Sequence, residues 1–197
     1  MAEQLPRIET GRLLMRVPVL ADLEPWALMM QDVEVARFIG GVQPRAACWR
    51  SLMTVIGAWH EAGFAMFSVI EKHTGEWIGR LGPWQPDGWP GTEVGWSLRR
   101  QSWGRGYALE GAVASIDWAF ERLGWREVVH SIAPDNLASQ RVAQRLGSVN
   151  RGPTQLPAPH ADSRVDLWGQ TRAQWLARRA AGLPAARASS HGSGGGQ

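Results

Sequence analysis

The sequence predicts one α/β domain, of the mixed α+β kind, in which a mixed central sheet carries helices on both faces. From residue 64 onward its patterns follow in the order hairpin, strand, helix, strand, helix, strand. The 197 residues are enough for one domain with a sizeable core and too few for two ordinary domains. We therefore expect a single folded unit.

The N-terminal part predicts one strand followed by helices. Arg12–Val19 indicates a first strand, and Asp22 is a suitable N-cap for a helix that continues to Met30. A short helical or turn segment over 33–39 ends at two glycines. A second long helix is predicted over 46–62, because its apolar residues recur at the helical period.

A β-hairpin is predicted next, from Phe64–Glu71 and Glu76–Trp84 around the turn 72–75. The loop that follows is rich in Pro and Gly and carries Trp89. Loops on a rigid sheet often carry recognition, so this tryptophan could line an acceptor site; folding back onto the core is the alternative.

The stretch from Glu93 to Gly124 organises the rest of the chain. Apolar residues alternate over Val94–Leu98, which indicates a strand, and a glycine-bearing turn follows at 101–106. The apolar 3–4 spacing that comes next predicts a long helix ending at Gly124. A glycine turn feeding a helix N-terminus presents free backbone N–H groups and the positive end of the helix dipole, which suits a phosphate or pyrophosphate.

The spacing within this turn excludes two common phosphate motifs. A P-loop needs a lysine at the helix start, and the chain has only Lys72, far from the turn. A dinucleotide fingerprint needs a third glycine at position 109, which is Leu109. The pattern present is Q-x-x-G-x-G, formed by Gln101, Gly104 and Gly106.

A second strand–loop–helix segment follows. Glu127–Ile132 indicates a strand, and Pro134-Asp135-Asn136 opens a helix over Leu137–Leu146 that ends at Gly147. The segment contains the pattern N-x-x-S, with Ser139 three residues after Asn136. A further strand is expected near Ser148–Arg151, a last one over Ser163–Gly169, and a terminal helix capped at Thr171.

Together the two motifs resemble the coenzyme A-binding elements of the GNAT acetyltransferases, and of the RimJ/RimL-type members in particular. The resemblance covers roughly residues 8–180. It implies a GNAT-like domain over 1–182 with a mostly antiparallel sheet splayed between its fourth and fifth strands, here Val94–Leu98 and Val128–Ile132. The Ser- and Gly-rich remainder, 183–197, is expected to be a disordered tail.

The resemblance also implies where acetyl-CoA would bind as co-substrate. The backbone around the Gly104–Ala108 turn would hold the pyrophosphate, with Arg99, Arg100 and Arg105 adding charge. The free edge of the central strand would pair with the pantetheine amides. The residues expected to contact the coenzyme are therefore Trp96, Ser97, Leu98, Gln101, Gly104, Arg105, Gly106, Tyr107, Ala108, Asn136 and Ser139.

Proton transfer needs an acceptor for the proton of the amine and a donor for the departing thiolate. Glu93, at the start of the central strand, is the first choice of base; an exposed structural glutamate is the equal alternative. His130 on the facing strand is a second choice, although a lone histidine on an apolar strand is more often a hydrogen-bonded core residue. The resemblance implies Ser139, the serine of the N-x-x-S pattern, as the acid, with water as the alternative. Many members of the family use a tyrosine instead, but the only tyrosine here, Tyr107, lies in the pyrophosphate turn.

Composition limits the remaining classes of function. The single Cys48 excludes an internal disulfide and fits a reducing cytoplasm, which is the location we expect. We also expect a monomer or homodimer. Neither a secretory signal nor a membrane span is visible. Residues 171–197 hold four of the 21 basic residues, which leaves 17 basic against 18 acidic residues in the rest of the chain. Because the rest of the chain is nearly neutral, nucleic-acid binding is disfavoured. The five histidines show no metal-ligand spacing.

The leading hypothesis is an N-acetyltransferase that moves the acetyl group of acetyl-CoA directly to a primary amine, with a protein N-terminus as the acceptor that the family implies. A small amine, such as an amino acid, polyamine or aminoglycoside, is the main alternative. A non-catalytic acyl-CoA-binding domain and an interaction protein that acts through its basic tail are the competing classes.

Overall fold

The computed structural model describes residues 5–182, and the predicted tail over 183–197 lies outside these described residues. The eight strands of this part are β1 Arg7–Glu9, β2 Leu13–Arg16, β3 Phe67–Glu71, β4 Trp77–Trp84, β5 Glu93–Leu98, β6 Glu127–Ile132, β7 Val149–Thr154 and β8 Val165–Thr171. Its six α-helices are α1 Leu23–Gln31, α2 Val33–Ala36, α3 Arg45–Glu61, α4 Tyr107–Arg122, α5 Leu137–Leu146 and α6 Arg172–Ala180.

All eight strands form one sheet in the order β1-β2-β3-β4-β5-β6-β8-β7. Every neighbouring pair is antiparallel except β5 and β6, which run parallel. The prediction of one mixed, mostly antiparallel sheet is confirmed. The position of β8 between β6 and β7 is a feature that the strand patterns alone did not predict.

Helices cover both faces of the sheet, as a consecutive pair of residues in β4 shows. Arg80 and Leu81 point to opposite faces, because successive strand residues alternate. The Arg80 guanidinium lies 4.8 Å from the ring centre of Trp26 in α1. Leu81 lies beneath α4, where a Cβ added to Gly111 would be 2.8 Å from its Cδ1 atom. We call these two sides the α1 face and the α4 face; α3 packs against α1, and α5 against α4.

Asp22 occupies the predicted N-cap position of α1, but its side chain makes no capping hydrogen bond to the helix. Its buried carboxylate instead accepts two hydrogen bonds from Arg16, at 2.7 and 2.8 Å, and one from the Val19 N–H at 2.9 Å. The Ser68 hydroxyl in β3 donates a fourth, at 2.7 Å. The acid therefore joins β2, β3 and the start of α1, and these hydrogen bonds keep its pKa below the usual range despite burial.

Glu110, in the first turn of α4, anchors the chain between β1 and β2. Its buried carboxylate accepts from the Thr10 hydroxyl at 2.6 Å and from the Arg12 N–H at 2.9 Å. The Arg12 guanidinium adds a 2.7 Å hydrogen bond through Nε. The structure thus gives Glu110 a structural role beside the glycine turn.

The C-terminal helix is held to the domain by its first turns. Thr171 and Gln174 form a reciprocal capping box, as the sequence predicted for the start of this helix. The fully buried Trp175 donates to Asp117 of α4 at 2.7 Å. Within the part of the chain that the structure describes, no helix is long and apolar enough to cross a membrane.

We expect Gly111→Ala to lower the free energy of unfolding by about 1–3 kcal/mol, because its Cβ would press on Leu81 and on the Met15 sulfur 3.3 Å away. Gly57→Ala in α3 is the matched control, since that exposed glycine has open space around it. Alanine there should raise the free energy by about 0.5–1 kcal/mol. Urea unfolding of both variants tests the pair; equal effects would contradict the close approach of α4.

Candidate active site

A notch opens between the parallel strands β5 and β6. The two strands are in register only at Glu93 and Val129, where the Val129 N–H donates to the Thr92 carbonyl at 3.0 Å. Beyond this point they separate. Backbone groups alternate in direction along a strand, so those of Val94, Trp96 and Leu98 face the notch while the intervening residues pair with β4. The structure therefore leaves an unpaired strand edge at the expected place.

His130 satisfies the first carbonyl of this edge. Its Nδ1 lies 2.7 Å from the Val94 carbonyl oxygen and its Nε2 lies 3.0 Å from the Ser148 hydroxyl. A carbonyl only accepts, so Nδ1 carries the proton and Nε2 accepts from the serine. Burial lowers the pKa of His130 to about 4, which keeps the ring neutral. The ring thus bridges β5 and the start of β7.

The notch continues into a cleft of about 270 Å³ that lies between α2, the glycine turn and the start of α5. It brings together most of the residues predicted to contact the coenzyme. Those lining it are Trp96, Ser97, Leu98, Gly104, Gly106, Tyr107, Ala108, Asn136 and Ser139. Helix α2 adds Glu34 and Val35 to the opposite wall, a contribution that the sequence patterns did not indicate.

The glycine turn leads into α4 as predicted. Gly104 and Gly106 have φ values of +71° and +78°, a left-handed conformation that favours glycine. A Cβ added to Gly104 would meet nothing within 4 Å, so the backbone here is open to an approaching ligand. The first N–H groups of α4 have no partner within the helix and point toward this opening.

The three arginines around this turn are each engaged in ion pairs. Arg99 pairs with Glu76, and Arg100 pairs with Asp32 at 2.6 Å. Arg105 pairs with Glu71 at 2.8 Å. Their charge therefore acts on the turn from a distance, and Arg105 does not line the cleft.

Gln101 also lies outside the cleft. It borders a separate recess of about 190 Å³, together with Arg100 and residues of α1. Contacts from Gln101 and Arg105 to the coenzyme remain predictions.

Tyr107 lines the inner end of the turn but is buried, with 3% of its surface exposed. Its hydroxyl donates to Glu71, and burial next to this carboxylate raises the pKa of the phenol. Arg12 and Arg105 lie over the ring at 4.5 and 4.9 Å from its centre. Because its hydroxyl is held by Glu71, Tyr107 is poorly placed to donate a proton elsewhere.

Asn136 and Ser139 meet the notch from the start of α5. The Asn136 side chain caps this helix by accepting from the Ser139 N–H at 3.1 Å. The Ser139 hydroxyl in turn accepts from the Trp96 indole at 3.2 Å, across the notch from β5. The Trp96 ring also packs 4.9 Å from the His130 ring, centre to centre. These contacts place the Ser139 hydroxyl at the notch wall.

Glu93 lies where β5 and β6 begin to separate and is buried, with 7% of its surface exposed. Its Oε2 accepts from the Trp89 indole and from the Ser131 hydroxyl, both at 2.7 Å. Burial is the larger effect and raises the pKa of Glu93 to about 7, although the two donors lower it. An exposed glutamate was the alternative for this residue, and the structure shows a buried one.

Three loops meet beside Glu93, and their convergence was not visible in the sequence. The edge of the Trp89 ring contacts His160 in the loop between β7 and β8, 6.5 Å between ring centres. A Cβ on Gly40, after α2, would lie 3.3 Å from the His160 ring. The Pro- and Gly-rich composition of the Trp89 loop was the only signal for this region. In the described residues, no three His, Cys, Asp or Glu side chains are grouped so that they could hold a metal ion.

An open sheet with a cleft between two splayed parallel strands, flanked by a glycine turn and a helix N-terminus, is the architecture expected for a coenzyme A-dependent acyltransferase. The sequence model of the acetyltransferase (GNAT) domain matches residues 12–149. The chain therefore belongs to the GNAT acetyltransferase family.

Individual relatives agree with this membership. The solved acetyltransferase of Agrobacterium tumefaciens str. C58 is 30% identical with a TM-score of 0.76, covering 87% of this chain and 98% of that one. The uncharacterized N-acetyltransferase p20 of Bacillus licheniformis is 29% identical over 147 residues, 73% of this chain and 82% of that protein. The uncharacterized protein YkkB of Bacillus subtilis is 36% identical over 87 residues, which are 43% of this chain. The match spans about half (51%) of the length of that relative.

We expect the stability that His130 contributes to depend on pH between about 4 and 6.5. Its pKa falls from 6.5 to about 4 on folding, so in this range the unfolded chain binds a proton that the folded protein excludes. Acid therefore favours unfolding, by about 3 kcal/mol across the range.

The measurement compares wild type with His130→Gln in urea at a series of pH values. The difference in free energy of unfolding between the two proteins should shrink as the pH falls from 6.5 to 4. Glu93 titrates with the opposite sign in an overlapping range, but it is present in both proteins and cancels. A pH-independent difference would contradict a neutral, buried His130.

Proposed function

We propose that this chain is an acetyl-CoA-dependent N-acetyltransferase that transfers the acetyl group directly to a primary amine. The observation that carries the proposal is the cleft itself: an unpaired strand edge and a glycine turn line it. Glu93, at the start of the same strand, is buried and has a raised pKa. Perturbed carboxylates in clefts are typical of acid–base sites. Acetyl-CoA would supply the activated acetyl thioester.

The residues present fit the coenzyme in two respects. The open backbone at Gly104, followed by the free N–H groups of α4, can accept a pyrophosphate. The backbone groups of Trp96 and the Leu98 N–H can pair with the pantetheine amides in the manner of an added strand, since the Leu98 carbonyl already accepts from the Trp103 indole at 2.7 Å. A backbone N–H on this edge is also suited to stabilise a developing oxyanion.

Glu93 is the better candidate for the base that receives the amine proton. With a pKa of about 7 it is ionised in a substantial fraction of molecules at neutral pH and can still take up a proton. His130 is disfavoured, because both ring nitrogens are engaged and its pKa of about 4 makes it a weak base. Proton transfer to Glu93 can be direct or through one water.

Ser139 is the proposed proton donor to the thiolate, with water as the alternative. Its hydroxyl accepts from Trp96, so its own hydrogen is free to point into the cleft. Asn136 fixes the first turn of α5 and so holds Ser139 in position; a contact from Asn136 to the pantetheine is also proposed.

The acceptor is proposed from two candidates. A protein N-terminus follows from the RimJ/RimL-type resemblance of the motifs, and a small amine is the second candidate. Retention of Glu93 and Ser139 beside the cleft argues against a non-catalytic coenzyme-binding domain. A cytoplasmic location and a monomeric or homodimeric state remain predictions.

The first test is thermal stability with and without acetyl-CoA, for wild type and Gly104→Glu. A ligand present at 100 times its dissociation constant stabilises the folded state by about 2.7 kcal/mol, so wild type should melt at a higher temperature. Glu at position 104 should remove the shift by placing a negative charge where the pyrophosphate binds.

Gly75→Glu is the matched control, because Gly75 also has a left-handed φ, +73°, and open space, but lies in the hairpin turn away from the cleft. It should respond to acetyl-CoA as wild type does. No shift in well-folded wild type would refute coenzyme binding, and equal loss in both variants would show that the effect is not local.

Glu93→Gln should reduce kcat/KM by roughly 10²- to 10⁴-fold, the usual contribution of a general base. In wild type kcat/KM should rise with pH through about 7 as the carboxylate ionises, and this limb should disappear in the variant. Glu121→Gln, on the exposed side of α4, provides the control for loss of one charge. A limb near pH 7 that persists in Glu93→Gln would assign it to the amine instead.

A further inference from the structure

Arg80 on the α1 face has a guanidinium with no protein partner. No described residue forms an ion pair or hydrogen bond with it, in contrast to Arg99, Arg100 and Arg105 nearby in the chain. Its Nε is buried and unpartnered, whereas the two terminal nitrogens are neither bonded nor buried. The side chain as a whole is half-buried. The terminal nitrogens therefore keep contact with solvent.

The surroundings of Arg80 hold the side chain in one place without neutralising it. Its guanidinium stacks over Trp26, 4.8 Å from the ring centre. Asp22, an acid on this face, already accepts hydrogen bonds from Arg16, Val19 and Ser68. Burial lowers the pKa of Arg80 to about 10, so it remains charged at neutral pH. A stacked, desolvated and unpaired guanidinium is a strong potential partner for an anion.

Arg80 also lies on the same face of the sheet as Glu93. Arg80 is paired with Ser97 of β5, and Trp84 with Glu93, so the two charged residues are separated by four positions (84 minus 80) along adjacent strands. Alternation places both on the α1 face, roughly 14 Å apart between their Cα positions. The methionine side chain of Met66 covers Gly95 between them. An acceptor that passes over Met66 could meet a base at one end and a cation at the other.

We propose that Arg80 binds a carboxylate of the amine acceptor, and that the acceptor is therefore a small amino carboxylic acid. This inference rests on the proposed acetyl transfer and names its acceptor class. A planar guanidinium with two free terminal nitrogens matches a carboxylate through paired hydrogen bonds. The Arg80 guanidinium lies beneath α1, over Trp26, and α3 packs against that helix, so an extended polypeptide is disfavoured.

The test measures initial rates of acetyl transfer for matched acceptors in wild type, Arg80→Gln and Arg80→Lys. The probes are ω-amino acids from glycine to 6-aminohexanoate, each compared with its primary amide, which has the same size but lacks the negative charge of the carboxylate. Peptides with an acidic or a neutral second residue form a separate set. Because an acid and its amide differ in amine pKa, the decisive quantity is the change in their kcat/KM ratio between wild type and variant.

We expect Arg80→Gln to lower kcat/KM for the best amino acid roughly 10- to 100-fold, while its amide changes less than about 3-fold. The effect should appear mainly in KM, and Arg80→Lys should restore part of it. Arg122→Gln, an exposed arginine at the end of α4, is the matched control and should leave the ratio unchanged. The thermal shift with acetyl-CoA should be the same in all these proteins, which also shows that they fold.

Equal loss for acid and amide would overturn the proposal, as would preference of wild type for neutral amines or for the acidic peptide alone. In those cases acetyl transfer itself would still stand. Absence of both the acetyl-CoA shift and any transfer would instead refute the proposed function, and the acceptor class with it.

Discussion

The parallel strands β5 and β6 stop pairing just beyond Glu93, and the functional geometry follows from the backbone groups left without a neighbouring strand. Unpaired buried carbonyls are costly, so the chain satisfies two of them with side chains. His130 donates to the Val94 carbonyl and Trp103 to that of Leu98. The edge at Trp96 lies between these two and remains available to a ligand. A feature that would destabilise an ordinary sheet thus supplies the edge that we propose binds the coenzyme.

Several side chains have their roles because of this separation. His130 is buried with its nitrogens occupied, so the residue with the more suitable free-solution pKa becomes a neutral bridge. Glu93, at the last paired position, is desolvated and so acquires the pKa that base catalysis at neutral pH requires. Desolvation disfavours the charged form of both residues. It therefore lowers the pKa of His130 and raises the pKa of Glu93.

The proposed sites for the coenzyme and for the acceptor lie on opposite faces of the sheet. Close packing at Gly111 brings α4 down onto the sheet, and the N-terminus of this helix meets the glycine turn on the coenzyme side. The opposite face holds Glu93 and the unpaired Arg80 beneath α1. Because neighbouring strand residues alternate, β5 can serve both sides at once, and we propose that the acetyl group reaches the acceptor through the notch between β5 and β6.

Elements defined by local pattern could be predicted from the sequence almost to their ends. Glu127–Ile132 and Leu137–Leu146 have the predicted bounds, since turn residues and Gly147 limit them on both sides. The glycine turn was recognised because few spacings place two left-handed glycines before a helix. Where a side chain had several possible partners, the local pattern was not enough to predict which of them it contacts. The Asp22 side chain could cap α1, but it binds Arg16 and Ser68 on neighbouring strands instead.

Local sequence patterns were enough to predict the fold class, the two motifs at the cleft and the order of the elements from β2 onward, because hydrophobic period, glycine and capping residues act over a few neighbours. The insertion of β8 beside β6, the burial of Glu93 and the lack of a protein partner for Arg80 emerge only when the chain is folded. Each of these depends on which distant residues are in contact. The pKa of a carboxylate and the pairing of a guanidinium are set by that environment and not by the adjacent sequence.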